Sequence, residues 1–369
     1  MGKKLYKLGI MVVSCLLIFV GVIACDKNAI GPDDSEKEYE EINFGRMRNL
    51  ERESEKKIEV DETACNLSFS PDGSRFVYYQ ASLWPIARLM DINGKEYKLL
   101  PLETDNASRG AVCWYDDHKL AYVSLSGFKI DPENLKSHIS LYDPDSGETD
   151  IIESPVRLLD NIGVAMINSE SLLAMSLEGL YRYSLEEDKW DIFVSIPDYS
   201  TGFLWSGDYS KAAYTTMPEP SSNLYILETS TGQQNMIRMD YPIIDYCWSH
   251  DFNRLALVCK DEEKNNFIIT VIKPDGTEVY SKIIKGVNSV ESIKWVPDSE
   301  KISFWLGDDE GGHLKIVDLK NHMVYFDEKL SGWGRGAGCD YVWLLENRLA
   351  YRDHYVDSKP LVYIVNYKP

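Results

Sequence analysis

One short pattern recurs along this chain at nearly regular intervals. In each copy an aromatic residue is followed three positions later by an acidic residue, and six or seven positions later by an apolar residue that opens an alternating run. The copies are FSPDGSRF from Phe69, WYDDHKL from Trp114, WSGDYSKA from Trp205, WSHDFNRL from Trp248, WVPDSEKI from Trp295 and WLLENRL from Trp343. Such internal periodicity is typical of repeat architectures.

The spacing of the copies gives their number. The repeat aromatics lie 45, 91, 43, 47 and 48 residues apart. The interval of 91 residues is twice the others, and a degenerate copy, VAMINSESLLAMS from Val164, lies in its middle with Met166 in the aromatic position. The chain therefore contains seven units of about 45 residues.

Each unit has the pattern of four short strands. Two strands flank the acidic turn, and a third follows, as in LYILET from Leu224 or HLKIVDL from His313. A turn rich in Gly, Asp, Asn or Ser then leads to a fourth. Turn residues between alternating runs indicate antiparallel hairpins, and four strands per period of about 45 residues are typical of a propeller blade. The sequence predicts an all-β fold, a seven-bladed β-propeller of four-stranded antiparallel blades.

The seventh unit supplies only three strands, DYVWLL, RLAYRD and PLVYIVNY. An open ring would leave strand edges exposed, which proteins avoid by closure. The stretch KKIEVDE, residues 56–62, precedes the first unit and alternates in the same way. We predict that this N-terminal strand closes the last blade.

The first residues have the layout of an export signal, in which three lysines precede an apolar run from Leu8 to Ala24. The run ends in Val22-Ile23-Ala24-Cys25, which resembles the lipobox of bacterial lipoproteins. That resemblance implies a signal peptide over residues 1–24 and a lipid anchor, with acyl chains such as palmitate, on Cys25. It also implies a place in the bacterial cell envelope, on the outer side of the cytoplasmic membrane or on an outer membrane if the organism has one. An uncleaved signal anchor is the alternative, because about 17 apolar residues can just span a bilayer.

Residues 25–56 are rich in charge and poor in apolar side chains. Such a segment buries too little surface to offset its ordering entropy, so the sequence predicts a lipidated, flexible tether. The expected organisation is a signal peptide (1–24), a tether (25–56) and a β-propeller (57–369). The formal net charge of -20 at pH 7 opposes binding to nucleic acid or anionic lipid.

Five cysteines remain when Cys15 leaves with the signal and Cys25 carries lipid. Five is an odd number, and no CxxC spacing occurs, so neither a disulfide scaffold nor a zinc site is indicated. Cys65 and Cys339 each precede a repeat aromatic by four residues, in blades that ring closure makes neighbours. They could form a disulfide in an oxidising compartment, and two buried thiols are the alternative.

The repeat also resembles the WD-like repeats of the TolB-family propellers, whose blades carry a similar W-S-P-D-G core. The likeness extends from Ile58 to the C-terminus and implies a propeller fold. TolB itself has six blades, a folded domain before the propeller and no lipid anchor, so the resemblance implies no role in the Tol-Pal system. Propellers host many unrelated activities, and the resemblance therefore implies no function.

The repeat residues themselves have structural roles in this prediction. The tryptophans are expected to pack between blades, where an aromatic side chain buries a large apolar area. The acidic residues are expected in turns, where a carboxylate bonds to nearby backbone. They are Asp72, Asp117, Asp208, Asp251, Asp298 and Glu346.

The loops from strand two to strand three, and from strand four to the next blade, emerge on one face of a propeller. That face receives the Gly-rich stretch SGWGRGAGCD, together with QASLWP, LSGFKIDPENLKSH, LGDDEGGH and YRDHYVDSK. Aromatic, Arg and His side chains on one face are typical of a recognition surface, and ordinary solvated loops are the alternative. The candidate binding residues are Trp84, Phe128, His138, His313, Trp333, Arg335, Asp353, His354 and Asp357.

Neither a catalytic nor a metal motif occurs in the sequence. GxSxG and HExxH are missing, and GDDEGGH lacks the ligand spacing of a calcium loop, so we expect no metal and no cofactor. The sequence favours a monomeric, non-catalytic binding or scaffold module whose partner is a protein or an envelope polymer. Two alternatives stay open. One is a lyase or hydrolase acting on an exported sugar or ester, with Asp353, His354 and Asp357 at the channel, and the other is a structural or sensory subunit of an envelope complex.

Overall fold

In the computed structural model, the residues that the structure describes form 28 strands and no helix. Every one of these strands lies within the unit Tyr39–Pro369. The structure describes residues 38–60, 64–80, 86–97, 112–114, 119–126, 136–159, 164–168, 171–176, 178–196, 200–216, 221–309, 311–333, 341–344, 347–353 and 361–368.

The strands group into seven sheets in chain order. Two strands precede the first blade, β1 (Met47–Asn49) and β2 (Arg52–Glu59). Blade one has β3 (Ala64–Phe69), β4 (Arg75–Gln80) and β5 (Ile86–Asp91). Blade two has β6 (Cys113–Trp114), β7 (Leu120–Ser126), β8 (Lys136–Tyr142) and β9 (Thr149–Glu153). Blade three has β10 (Val164–Asn168), β11 (Ser171–Met175), β12 (Leu180–Ser184) and β13 (Lys189–Val194).

The second half of the ring follows the same order. Blade four has β14 (Ser200–Trp205), β15 (Lys211–Thr216), β16 (Asn223–Glu228) and β17 (Gln234–Arg238). Blade five has β18 (Ile243–Trp248), β19 (Leu255–Asp261), β20 (Asn266–Ile272) and β21 (Glu278–Ile284). Blade six has β22 (Ser289–Trp295), β23 (Lys301–Asp308), β24 (Gly311–Asp318) and β25 (Val324–Trp333). Blade seven has β26 (Tyr341–Trp343), β27 (Arg348–Asp353) and β28 (Leu361–Tyr367).

Within each blade, consecutive strands pair antiparallel. Seven clusters of buried apolar side chains separate the blades, one for each pair of neighbours. The cluster of Ile58, Phe76 and Val362 joins blade seven to blade one. Because this last interface is filled like the others, the sheets form a ring, and the predicted seven-bladed β-propeller is confirmed.

Ring closure occurs as predicted, through a strand from the N-terminal side. β2 pairs antiparallel with β28, with Arg52 opposite Tyr367 and Glu59 opposite Leu361, and it becomes the fourth strand of blade seven. Ile58 is buried in the seam. The strand begins at Arg52, four residues earlier than the stretch that the sequence predicts.

The sequence predicts a tether as far as residue 56, but residues 40–42, 47–50 and 52–56 of this stretch pair with the ring. Ile42 N donates to Ile283 O at 2.9 Å and Ile283 N donates to Glu40 O at 3.0 Å, on the outer strand of blade five. β1 then pairs in parallel with β25, and blade six gains a fifth strand. Strand addition uses backbone hydrogen bonds, which a count of apolar side chains does not register. We call residues 39–59 the strap.

Residues 1–37 lie outside the described residues. The predicted signal peptide, Cys25 and the first part of the predicted tether fall there. Among the residues that the structure describes, no helix is long and apolar enough to cross a membrane.

A buried ion pair fastens the closing strand of the strap to blade six. Arg52 Nη2 lies 2.7 Å from Asp327 Oδ2, and Arg52 Nε donates to the same oxygen at 2.8 Å. The hydroxyl of Tyr367 also donates to Asp327 Oδ2, at 2.7 Å. Asp327 is 2% exposed, so its charge depends on these donors. The pair connects β25, β2 and β28, and therefore blades six and seven.

We expect Arg52→Ala to lower the free energy of unfolding by about 3–5 kcal/mol, because it leaves a buried carboxylate without its cation. Urea unfolding followed by tryptophan fluorescence measures the change. Lys320→Ala is the control, since Lys320 is 70% exposed and pairs with Glu300 at the surface, where loss of a pair costs at most about 1 kcal/mol. Equal effects of the two variants would show that the Arg52–Asp327 pair contributes no more than a surface pair.

Candidate functional site

The turns between the first and second strands of the blades share one hydrogen-bonding pattern. The carboxylate of Asp72 accepts from Ser70 Oγ at 2.6 Å and from Ser74 N at 2.9 Å. The carboxylates of Asp208 and Asp251 accept in the same way from a serine two residues earlier and a backbone N–H two residues later. Asp298 caps its turn through Glu300 N at 2.8 Å. These four positions confirm the predicted turn role, whereas Asp117 and Glu346 lie outside the described residues.

Hydrogen bonds favour the ionised form of two of these carboxylates. Burial alone would raise the pKa of Asp208, but hydrogen bonds from Ser206 and Ser210 lower it overall. The same balance lowers the pKa of Asp251. A general acid needs a raised pKa near the working pH, so Asp208 and Asp251 have the chemistry of turn caps.

Two bulky residues occupy a left-handed backbone position in these turns. Gly73 has φ 67° there, and in later blades Tyr209 and Phe252 both have φ 57°. This region is unfavourable for aromatic residues, and such strain persists where surrounding contacts hold it. The hydroxyl of Tyr209 donates to Trp114 O at 2.9 Å, and the ring of Phe252 packs on Gly207. Tyr209 thereby ties blade four to blade two, across the blade with the degenerate repeat.

Tyr209→Phe tests this tie through its pH dependence. Burial raises the pKa of Tyr209 from 10.0 to about 12, so ionisation favours the unfolded state between these values. We expect the stability advantage of the wild type over Tyr209→Phe to hold below pH 10 and to shrink by about 1 kcal/mol per pH unit from pH 10 to pH 12. Urea unfolding near pH 9 and near pH 11 measures it. A constant advantage would mean that Tyr209 is solvated.

The repeat tryptophans hold neighbouring blades together. The indole N–H of Trp114 donates to Ser68 O at 3.3 Å, that of Trp248 to Leu204 O at 3.1 Å, and that of Trp295 to Cys247 O at 3.2 Å. Each acceptor directly precedes the repeat aromatic of the previous blade. The predicted packing role is confirmed, because all three rings are buried.

Two units depart from this pattern. The indole of Trp343 donates to Ser303 Oγ at 2.7 Å, and that hydroxyl donates to Lys294 O at 3.3 Å. In the unit after the degenerate repeat, the indole nitrogen of Trp205 is buried with no hydrogen-bond partner among the described residues.

The other end of the ring carries the loops that the sequence assigns to recognition, and we call it the loop end. Met239 N donates to Ser222 O at 2.8 Å and Lys260 N donates to Pro242 O at 2.9 Å. These bonds join the loop between blades four and five to the loop after the second strand of blade four and to the end of the second strand of blade five. Both kinds of loop therefore share one end at this junction, as the topology predicts.

By their positions in the sequence, the nine candidate residues belong to four consecutive blades, six, seven, one and two. Trp333 and Asp353 are the last residues of β25 and β27, and their side chains are not described. Five of the other candidates belong to loops that are not described. The strands before and after each of these loops are described, and their near ends lie at the loop end. The candidates outside the described residues are Trp84, Phe128, Arg335, His354 and Asp357.

The two described histidines occupy equivalent positions, each as the third residue of the third strand of its blade. His138 is 8% exposed, on the face of its strand that also carries Tyr142 and packs on blade one. His313 Nε2 lies 3.3 Å from Asp308 Oδ1, on the face toward blade five. The structure thus places them in two different interfaces between blades and does not bring them together.

The LGDDEGGH stretch forms a hairpin turn. Asp308 Oδ1 accepts from Gly311 N at 3.1 Å, and Asp309 Oδ1 accepts from the side chain of Asn288 at 3.2 Å. In the described part of the chain, no group of three or more His, Cys, Asp or Glu side chains is placed to hold a metal ion.

The cysteines that the structure describes are free thiols. They are Cys113, Cys247 and Cys259. Burial raises the pKa of all three, that of Cys259 to about 12, which suppresses the reactive thiolate at neutral pH. Cys339 lies outside the described residues and the side chain of Cys65 is not described, so their disulfide stays a prediction.

Sequence reasoning missed a partly buried carboxylate on an inner strand. Burial raises the pKa of Asp245, which is the kind of shift that marks a candidate acid or base. Its two oxygens, however, accept from Tyr246 N and from Ile293 N, both at 2.8 Å. Asp245 therefore caps a bulge in the inner strand of blade six, where Ser292 has φ 55°. Its hydrogen bonds therefore join blade five to blade six.

A shallow depression of about 480 Å³ lies at the turn end of blade five. Its walls include Asn253, Arg254 and Lys273. The guanidinium of Arg254 donates to Ser299 O and lies 4.9 Å from the centre of the Trp295 ring. Because the guanidinium of Arg254 already makes these contacts, the depression is a weaker candidate for a binding site than the loop end.

Comparisons with known proteins show a likeness in fold and in nothing more specific. No family model matches the chain, and no curated protein matches it. Among solved structures, oligogalacturonate lyase in complex with manganese aligns at 14% identity over 85% of this chain and 91% of that chain, with a TM-score of 0.58. YCF48 bound to a D1 peptide aligns at 11% identity over 88% and 98%, with a TM-score of 0.59.

A third solved structure also has a similar fold. The β-propeller domain of Cps50 (Swd1) from Myceliophteria thermophila aligns at 10% identity over 84% of this chain and 98% of that chain, with a TM-score of 0.52. Neighbours this distant in sequence share a fold and have different activities. The chain is therefore similar to β-propellers of several kinds.

Proposed function

We propose that this chain is a cell-envelope lipoprotein, a monomer whose propeller is a non-catalytic binding or scaffold module for a protein or an envelope polymer. The observation that carries the proposal is that the strands flanking the candidate segments belong to four consecutive blades, six, seven, one and two. Candidates scattered around the ring would give no continuous surface, whereas an arc of adjacent blades gives one.

The scaffold beneath this arc suits a recognition role. Seven filled interfaces and the strap hold the strands that bracket the candidate loops. Loops on a rigid scaffold are the usual place for binding residues, because the scaffold limits the entropy lost on binding.

The chemistry of the arc favours a partner with apolar and anionic or hydrogen-bonding groups. Trp84, Phe128 and Trp333 supply aromatic area, and Arg335 supplies a planar cation, which are the residue types enriched in interface hot spots. The net charge of -20 disfavours nucleic acid as that partner.

The enzyme alternative has less support. The likeness to a lyase is a likeness of fold, and His354, Asp357 and the side chain of Asp353 lie outside what the structure describes. We retain the alternative as an outcome of the experiment below. A structural or sensory subunit would also recover a partner, but through another surface.

The test is cross-linking and pull-down from intact bacterial cells that produce the full chain. We expect Trp333→Ala with Arg335→Ala to lower recovery of the captured partner at least about tenfold, as loss of a central hot spot does. Lys273→Ala at the turn end is the matched control and should leave recovery unchanged.

Other outcomes would overturn the proposal. If the loop variants capture the partner as well as the wild type and Lys273→Ala does not, the contact surface lies at the turn end. If no partner is recovered and a screen of oligosaccharides and esters finds turnover that His354→Ala abolishes, the chain is an enzyme.

The lipid anchor has its own test. Cys25→Ser should abolish incorporation of labelled palmitate and release the protein from the membrane fraction, because the acyl chains supply the membrane affinity. Metabolic labelling and fractionation measure both effects. Cys113→Ser, in the propeller, is the control. Continued membrane association of Cys25→Ser without label would favour the uncleaved signal anchor.

A further inference from the structure

A lysine lies buried beneath the strap without an oxygen acceptor. Lys315 in β24 is 8% exposed. Its Nζ lies 3.4 Å from the sulfur of Met47 in β1 and 5.3 Å from the centre of the Phe326 ring. Among the described residues, no carboxylate or carbonyl oxygen lies within hydrogen-bonding distance of this ammonium group.

This arrangement leaves the cation poorly compensated. A buried ammonium requires acceptors, and a thioether sulfur is a weak one. Burial lowers the pKa of Lys315, and the more distant charge of Asp308 offsets only part of this effect. An oxygen atom at the position of the Met47 sulfur would supply the missing acceptor.

Met47 can acquire such an oxygen by oxidation. It lies on β1, which is open to solvent along its length, and it is itself 38% exposed. A peroxide reaches an exposed thioether and converts it to a sulfoxide. The sulfur attacks one peroxide oxygen, so that the S–O bond forms as the O–O bond breaks. The sulfur loses two electrons, and the proton on its new oxygen passes, directly or through solvent, to the departing hydroxide, which leaves as water.

We propose that Met47 is a modification site for peroxide-type oxidants, and that its sulfoxide oxygen accepts a hydrogen bond from Lys315 and so fastens the strap to blade six. Sulfoxide formation usually disrupts apolar packing. Here the new polar group meets a buried cation, and a charge-assisted hydrogen bond is stronger than a neutral one.

The strap is the right place for such an effect to be measurable. β1 pairs with β25 over only three residues, Met47 to Asn49. Directly after this pairing, Leu50 N donates to Phe326 O at 2.8 Å. Hydrogen exchange of the Leu50 amide therefore shows whether the strap is paired with β25. The inference concerns the strap alone and holds whether or not the proposed function is correct.

The experiment treats the purified chain with hydrogen peroxide, locates sulfoxides by peptide mass spectrometry and measures hydrogen exchange in the strap. We expect Met47 to be oxidised and exchange of the Leu50 amide to slow about threefold to tenfold, the range that one net hydrogen bond supplies. Met47→Gln, which places an amide oxygen near the same position, should slow exchange without oxidant.

Two variants make the result specific. Lys315→Met keeps the volume of the side chain and removes the cation, so oxidation of Met47 should no longer slow exchange, and circular dichroism checks that the variant folds. Met236 is 54% exposed on blade four and is the matched methionine, so the Met236→Leu variant should retain the full effect. The inference is overturned if oxidation speeds exchange equally in the wild type and in Lys315→Met, or if Met236 is oxidised and Met47 is not.

Discussion

The pairing of β2 with β28 is the constraint on which the rest of the molecule depends. Each blade buries its faces only against its two neighbours, so six filled interfaces would still leave two exposed sheets. The closing strand places Ile58 into the seventh interface, beside Val362 of its own blade and in one cluster with Phe76 of blade one. A strand that left this position would open an apolar face and a backbone edge together.

Much of this fold could be predicted from the sequence, because the decisive contacts repeat. The indole of Trp295 reaches the residue before Trp248, as that of Trp248 reaches the residue before Trp205, so spacing alone reports the architecture. The strap could not be predicted from composition. Its first part pairs through backbone atoms, and Glu40 and Glu41 form ion pairs with Lys282 in β21 and with Lys285 just after that strand.

The candidate site was predictable at the level of topology and less so at the level of side chains. Connectivity predicts that whole loops lie at one end, and the strands that flank them belong to adjacent blades. The structure also shows that His138 and His313 lie on third strands, where repeat position turns both toward the preceding blade. Asp245 could not be identified in advance, because a bulge between Ile243 and Asp245 sets the direction of its side chain, and bulges leave little trace in an alternating pattern.

The order of the strands has a consequence for how the molecule matures. β2 is synthesised before any blade, yet its partner is the last strand, and Asn366 donates to Ser54 across 312 residues of chain. Contacts this distant in sequence form late and slowly. The charged side chains of Glu53, Glu55 and Lys56 keep β2 soluble before it pairs with β28 and discourage pairing with other strands. The docking of β2 on β28 must therefore wait until β28 has been synthesised.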